Sequence, residues 1–352
     1  MSTLSRFWTQ SFFLAPPRLT EKNLSEQHGR VTIVTGGYAG VGYELSKILY
    51  QHNGTVYVAG RSPEKGERAI NAIKAAIPRS KGRLEFLFLD LGNLTGIKKS
   101  AEEFMSKESR LDVLVNNGLI PFKTYRASQG LTLHTAGVMQ VPLGSKTIQG
   151  YELQIGTNCV APYLFTKLLT PLLQQTAASS PAGSVRVTWA ASLGVDVQSP
   201  PHGGFDLASD GAPILNTTRT MTNYGMSKVG NYFLASQFAV RNPVKDGKGV
   251  LSLAFNPGNL RTELQRDMQG LTKWVISTLL LYPPVFGGYT ELYAGWAEET
   301  GRAEHHGGYV LPWGRVGDVR DDVQHEIEAG KKGEGKAVKF WEWCDSETKA
   351  YL

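Results

Sequence analysis

Val31-Thr32-Ile33-Val34-Thr35-Gly36-Gly37-Tyr38-Ala39-Gly40-Val41-Gly42 is the stretch that decides the fold of this chain. Its first five residues are apolar or β-branched without a polar alternation, the pattern of a strand buried on both faces. A glycine-rich turn comes next, and apolar positions return at helical spacing from Tyr43 to Tyr50. Strand, glycine turn and helix in that order open a βαβ unit. Glycines let the backbone turn tightly and approach a pyrophosphate, whose charge meets free N–H groups at the helix start. A merely flexible loop would not need this flanking order. Gly36, Tyr38, Gly40, Val41 and Gly42 are therefore candidate dinucleotide contacts.

Working outward, residues 1–29 read as an arm leading into the domain, and residues 56–59 as a second strand ending at Gly60-Arg61-Ser62. Many dinucleotide sites carry an acid here for the ribose 2′-hydroxyl. Arg61 offers a cation instead, which can clamp a 2′-phosphate and favours NADP (NADPH) over NAD. An ordinary surface Arg closing a strand is the alternative. A helix over 63–76 and a strand over 84–89 come next. Asp90 then stands where it can accept a hydrogen bond from an adenine amino group, or start the next turn. Residues 94–107 read as helix and 111–115 as the fourth strand, ending in Asn116-Asn117. Further strands are expected over 185–190, 251–255 and 308–311, and a long central helix over 148–174. Strands alternating with helices, without hairpin signals, predict an α/β Rossmann fold: one domain with a doubly wound parallel sheet flanked by helices.

A second stretch carries chemistry. Tyr224 and Lys228 stand four residues apart in a helical pattern, one turn from each other on a single face. A lysine charge favours the phenolate and so draws a tyrosine pKa down toward working pH. Such a tyrosine can give a proton to a carbonyl oxygen or take one from an alcohol. The bland alternative is a solvated helix face.

Composition narrows the class. The chain has 352 residues, 41% hydrophobic and 19% charged, with a formal charge of +6. No block of basic residues points to nucleic acid. Cys159 and Cys344, the two cysteines, make no metal or disulfide pattern and fit a reducing compartment. The most apolar run, 274–282, stops at Pro283-Pro284, far short of the ~20 residues of a transmembrane helix. The apolar piece Phe12-Phe13-Leu14-Ala15 is too short and poorly flanked for a signal peptide. A cytoplasmic location is the expectation.

Thr35-Gly-x-x-x-Gly40-x-Gly42, Asp90, Asn116-Asn117, a serine after the fifth strand, and Tyr224-x-x-x-Lys228 stand in the order found in short-chain dehydrogenases/reductases. The sequence resembles that family over residues 30–315. Its ending, with Trp313-Gly314-Arg315 and Trp341-Glu342-Trp343-Cys344, looks like fungal members related to retinol dehydrogenases. The resemblance implies an oxidoreductase moving hydride between a nicotinamide and a carbonyl or alcohol. It implies Tyr224 as proton donor, Lys228 beside it, Ser192 on the substrate carbonyl, and Asn158 holding a water in a proton relay. Asn117, Pro257, Gly258, Leu260 and Thr262 are implied cofactor contacts, the last group flanking the nicotinamide. Members commonly pair through two long helices, which implies a homodimer. Residues 263–300 are expected to cover the substrate and 316–352 to form a C-terminal extension. The apolar cover favours a small-molecule lipophilic ketone or aldehyde, with secondary metabolism as the setting.

One departure stands out. The family runs Asn-Asn-Ala-Gly without a break, whereas here 18 residues, 118–135, separate Asn117 from Ala136-Gly137. Deleting them restores Asn-Asn-Ala-Gly-Val-Met. The stretch reads as a translated intron, with a real loop as the alternative. It also gives substance to a rival from another class: a binding or regulatory protein that keeps the fold and does not turn over.

Overall fold

The computed structural model describes residues 2–117, 141–245, 247–261 and 281–352. The suspected insertion, Thr262 and residues 263–280 lie outside them. Among the described residues one eight-stranded sheet runs in the order β3-β2-β1-β4-β5-β6-β7-β8. The strands are β1 (Val31–Thr35), β2 (Thr55–Gly60), β3 (Arg83–Phe88), β4 (Val113–Asn116), β5 (Arg186–Ala190), β6 (Leu251–Phe255), β7 (Gly308–Leu311) and β8 (Arg315–Gly317). β1 pairs in parallel with β2 on one side and β4 on the other. The strand order therefore reverses at β1/β4, where open α/β sheets bind ligands beyond the strands' carboxyl ends.

Each strand splits its side chains between two layers, as the two-residue period of a strand requires. Val34, Val56, Val58, Val113 and Val115 pack with Leu45, Leu49, Ile70, Ile73 and Leu292. Ile33, Tyr57, Ala59 and Leu114 pack on the opposite face with Phe104, Leu164, Trp189 and Phe233. The first layer holds helices α2 (Gly40–Gln51), α3 (Pro63–Ala76) and the helix Pro284–Trp296; the second holds α4 (Ile97–Lys107) and helices Ala161–Ala178 and Thr220–Arg241. With the N-terminal helix Thr3–Ser11 as α1, Ala161–Ala178 is α5, Thr220–Arg241 is α6 and Pro284–Trp296 is α7.

One expectation changes. The central helix does not start at 148: a single helical turn spans Leu153–Ile155, a π-helical turn spans Gly156–Val160, and α5 continues from there. Between Ser192 and Tyr224, Phe205 is buried between Phe233 of α6 and Phe340, at 5.4 and 5.2 Å between ring centroids. The C-terminal extension contributes to the core. Helices α8 (Asp321–Lys331) and α9 (Gly335–Thr348) pack on α6, and Val323, Ile327, Phe340 and Cys344 join the main core. Residues Asn223 through Ala239 of α6 are all buried. Helices α8 and α9 of the same chain account for much of that burial.

Candidate active site

The start of α6 is locked by two asparagines. The Asn216 N–H donates to Asn223 Oδ1 at 2.8 Å, and Asn223 Nδ2 donates back to the Asn216 carbonyl at 3.0 Å. Tyr224 comes directly after and points at the segment beyond β5. A Cβ on Gly194 would stand 3.2 Å from Tyr224 Cε1, and one on Gly225 only 2.5 Å from the Ser199 amide nitrogen. Gly225 is closed to larger side chains by this approach, and the fit at Gly194 is tight. Gly194 was not among the sequence candidates, although it lies two residues after Ser192.

The Ser192 hydroxyl lies near enough to the Tyr224 phenol to lower its pKa. The Ser192 hydroxyl also accepts from the Gly194 N–H at 3.1 Å, and the Tyr309 hydroxyl donates to the Ser192 carbonyl at 3.2 Å. Lys228, one turn after Tyr224, donates to the Ala190 carbonyl at 2.8 Å, the same acceptor that Asn231 Nδ2 uses. Its ammonium lies 5.5 Å from the Tyr224 ring centroid.

Electrostatics here correct the simplest expectation. Burial raises the Tyr224 phenol above its ordinary range, and the Ser192 hydroxyl draws it back part of the way. The nearby Lys228 does not offset this rise. Burial instead lowers Lys228 itself to about 8. A phenol held high stays protonated at neutral pH, which is the form that donates to a carbonyl oxygen.

The π-helical turn puts Asn158 beside α6. Its amide donates to Ser227 Oγ at 3.0 Å, and Ser227 Oγ donates to the Tyr224 carbonyl at 2.8 Å. Asn158 Oδ1 is buried and unpartnered among the described residues, which leaves an acceptor for water next to the helix carrying Lys228. Such turns recur at functional sites; no periodicity in the sequence marks this one.

The glycine turn has the shape a pyrophosphate needs. Gly36 (φ +67°) and Gly40 (φ +55°) sit in the left-handed region. A Cβ on Gly42 would meet Asn117 Nδ2 at 2.7 Å and the Gly36 carbonyl at 2.8 Å. Asn117 is itself pinned, its N–H donating to Thr35 Oγ1 at 3.0 Å. The N-terminal residue of α2 is preceded by Ala39, which provides no side-chain cap, and the first turn has no acid. Its N–H groups are thus left for an anion. Beside them, the Tyr38 ring lies where a Cβ on Gly60 would stand, 2.2 Å from Cε1. Burial raises the Tyr38 phenol, with Arg61 and Asp90 both near enough to modify it. Asp90 takes the turn-forming role in this structure, accepting from the Gly92 N–H at 2.9 Å.

On the other side, Gly258 (φ +89°) comes after Pro257, and its N–H donates to Asn256 Oδ1 at 3.0 Å. Leu260 and Val41 both approach Gly287 of α7, where a Cβ would be 2.4 Å from Leu260 Cδ1. The glycine turn, Ser192, Tyr224, Lys228 and the Pro257-Gly258 loop are therefore held at one end of the sheet, at the carboxyl ends of β1, β5 and β6.

The family model for short chain dehydrogenases matches residues 30–185. A short-chain dehydrogenase/reductase of Phomopsis amygdali is 41% identical over 353 residues, covering 100% of this chain and 98% of the relative. The chain belongs to the short-chain dehydrogenase/reductase family. A second member, from Pestalotiopsis fici, is 40% identical and fully covered on both sides. Among solved structures, an uncharacterized protein from Mycobacterium paratuberculosis superposes with a TM-score of 0.62 at 22% identity, over 94% of this chain and 97% of that one. L-sorbose reductase from Gluconobacter frateurii, solved with NADPH and L-sorbose, gives 0.55 at 15% identity over 82% and 95%. These two likenesses concern the fold. As a member of this family the chain is an oxidoreductase of the class that uses a nicotinamide cofactor. Among the described residues no cluster of three His, Cys, Asp or Glu is placed to hold a metal, and no helix is long and apolar enough to cross a membrane.

The lysine gives this dehydrogenase/reductase site a pH dependence of definite sign. Lys228 carries its charge below about 8 and loses it above. That charge stabilises negative charge building on the Tyr224 phenol when its proton leaves, so kcat/KM for a carbonyl reduction that uses this proton should be flat at neutral pH and fall as pH rises through about 8. A pH profile of kcat/KM, which reports the free enzyme, checks it; a rate still climbing at pH ~9 would contradict it.

Proposed function

We propose that this chain is an NADPH-dependent reductase of a lipophilic ketone or aldehyde, able to run in reverse on the alcohol. The observation that carries the reading is a buried Tyr224 whose pKa burial raises, with the Ser192 hydroxyl near enough to lower it again in part and the Lys228 ammonium 5.5 Å from its ring centroid. The cofactor fits the residues present: the Gly36–Gly42 cradle closes on itself at Gly42, and the uncapped start of α2 offers N–H groups to its phosphates. Gly36, Tyr38, Gly40, Val41, Gly42, Asn117, Pro257, Gly258, Leu260 and, by sequence, Thr262 would hold it, with Asp90 near the adenine. When bound, the nicotinamide supplies hydride to the carbonyl carbon. Ser192 orients the carbonyl oxygen, Tyr224 gives it a proton, and Lys228 stabilises the phenolate left behind. Asn158 Oδ1 holds a water that passes the replacement proton toward Lys228.

Apolar and aromatic residues near the Pro257-Gly258 loop support a lipophilic substrate: Trp313 packs on Tyr282 and Phe286 at 4.4 and 4.6 Å between ring centroids. The fungal sources of the relatives support a role in secondary metabolism, in the cytoplasm. Activity with a panel of aldehydes and ketones and NADPH tests the reading. NADPH binding without turnover on any of them would favour the rival, non-enzymatic role.

Arg61 stands at the end of β2, beside Tyr38. A charge-assisted hydrogen bond to a 2′-phosphate contributes about 1.5–3 kcal/mol, so Arg61→Ala should cut the preference for NADPH over NADH by roughly ten- to a hundredfold. Kinetics with both cofactors decide this, and equal use of both by the unaltered protein would remove the basis for NADP.

A further inference from the structure

Helix α1 is built inside out. It buries Arg6, Gln10 and Ser11, which are 4%, 2% and 0% exposed, and turns Leu4 and Trp8 to the outside. Residues of these polar types are rarely buried unless paired, and here the pairings are specific. Gln10 Nε2 donates to Asp196 Oδ2 at 2.8 Å, while Gln10 Oε1 accepts from Asn256 Nδ2 at 2.8 Å. Ser11 Oγ accepts from Asn259 Nδ2 at 2.8 Å. Arg6 donates to the Asp318 carbonyl and to Asp321 at 3.0 and 2.7 Å.

The two partners of Gln10 belong to the two loops that frame the reacting centre. Asp196 lies in the short turn that begins at Gly194, against the Tyr224 ring and next to Ser192. Asn256 passes the connection on, since its Oδ1 accepts from the Gly258 N–H. A single amide, used at both ends, thus links the Ser192 loop to the Pro257-Gly258 loop from behind. We infer that α1 is a strut of the active site and that Gln10 is a positioning residue, setting the spacing between the serine that orients the substrate and the loop that flanks the nicotinamide. Arg315, donating to the Thr9 carbonyl at 3.2 Å, and Tyr282, donating to the Ser11 carbonyl at 3.3 Å, hold the same helix to the turn after β7 and the approach to α7. The inference rests on the reductase reading for its catalytic consequence.

Gln10→Ala removes both ends of the link. Turnover of the best carbonyl should fall roughly ten- to a hundredfold, the usual consequence of a misplacement of about 1 Å. NADPH binding should fall less than turnover, because the cradle at β1 and α2 is untouched although the Pro257-Gly258 loop is loosened. Backbone hydrogen exchange should quicken in residues 193–199 and 256–261. Gln10→Glu keeps the acceptor for Asn256 but sets a carboxylate against Asp196, so it should also be impaired. Adding Asp196→Asn supplies a donor again and should restore turnover. A double variant no better than Gln10→Glu would overturn the inference, as would Gln10→Ala with unchanged turnover and unchanged exchange. Should the unaltered protein reduce no carbonyl, the reductase reading fails, and the exchange measurement still decides whether Gln10 couples the two loops.

Discussion

Tyr224→Phe is expected to lower turnover by about 10²–10⁴-fold, the usual worth of a positioned general acid, while NADPH binding survives. The ring stays, so its packing against Gly194 is kept, and the lost atom is the hydroxyl that faces Ser192. The fold should tolerate the change, because removing a buried hydroxyl together with its desolvation cost is close to neutral when its partner retains another bond. Ser192 does, through Gly194. Steady-state turnover together with NADPH titration separates the two effects. Near-normal turnover would mean that another group supplies the proton, and no second buried phenol touches Ser192 Oγ among the described residues: Tyr309 reaches its carbonyl only. A loss of binding equal to the loss of turnover would point instead to a role in holding the cofactor.

The parts that were legible in the sequence are those where local chemistry and tertiary environment agree. Ser62 before Pro63 marks a helix start, and α3 begins there, with Ser62 Oγ accepting from the Lys65 N–H. The unbroken apolar runs of β1 and β6 match their observed bounds because both faces of the sheet are covered. Tyr224 and Lys228 lie one turn apart on α6, as their spacing requires, although burial outweighs the mutual influence expected of them. The rest stayed hidden because contacts remote in sequence set it. The π-helical turn at Asn158 has no periodic signature. Helix α1 carries its polar side inward to Asp196 and Asn256, far along the chain, so a search for a buried apolar stripe passes over it. The short antiparallel strand β8 depends on Trp313 and Gly314 at φ +73° and +97°, and the aromatic packing around Trp313 holds the first of these. Helices α8 and α9 looked terminal in the sequence, yet Phe340 and Ile327 complete the main core.

Excising residues 118–135 is expected to raise turnover by about a hundredfold, the scale on which a displaced reacting group costs rate. Asn117 is buried, pinned by Thr35, and so close to Gly42 that no side chain fits there. The chain leaving Asn117 is therefore tied to the cofactor cradle. The family's continuous Asn-Asn-Ala-Gly reappears when the 18 residues are removed. We propose that the stretch is a retained intron, a reading with which the possible codons are compatible: Gly118 can be coded with GT after its first base. Gly130-Leu131-Thr132 can be coded with CTAAC, a branch-point signal, and Thr135-Ala136 with ACAG as acceptor. Joining the first base of Gly118 to the last two of Ala136 restores an alanine codon. The alternative is a genuine loop serving as a specificity element, and it makes the opposite prediction. Sequencing the transcript, then comparing kcat/KM of the long and short chains side by side, separates them. If transcripts uniformly keep the stretch and the long chain is the more active, residues 118–135 belong to the enzyme.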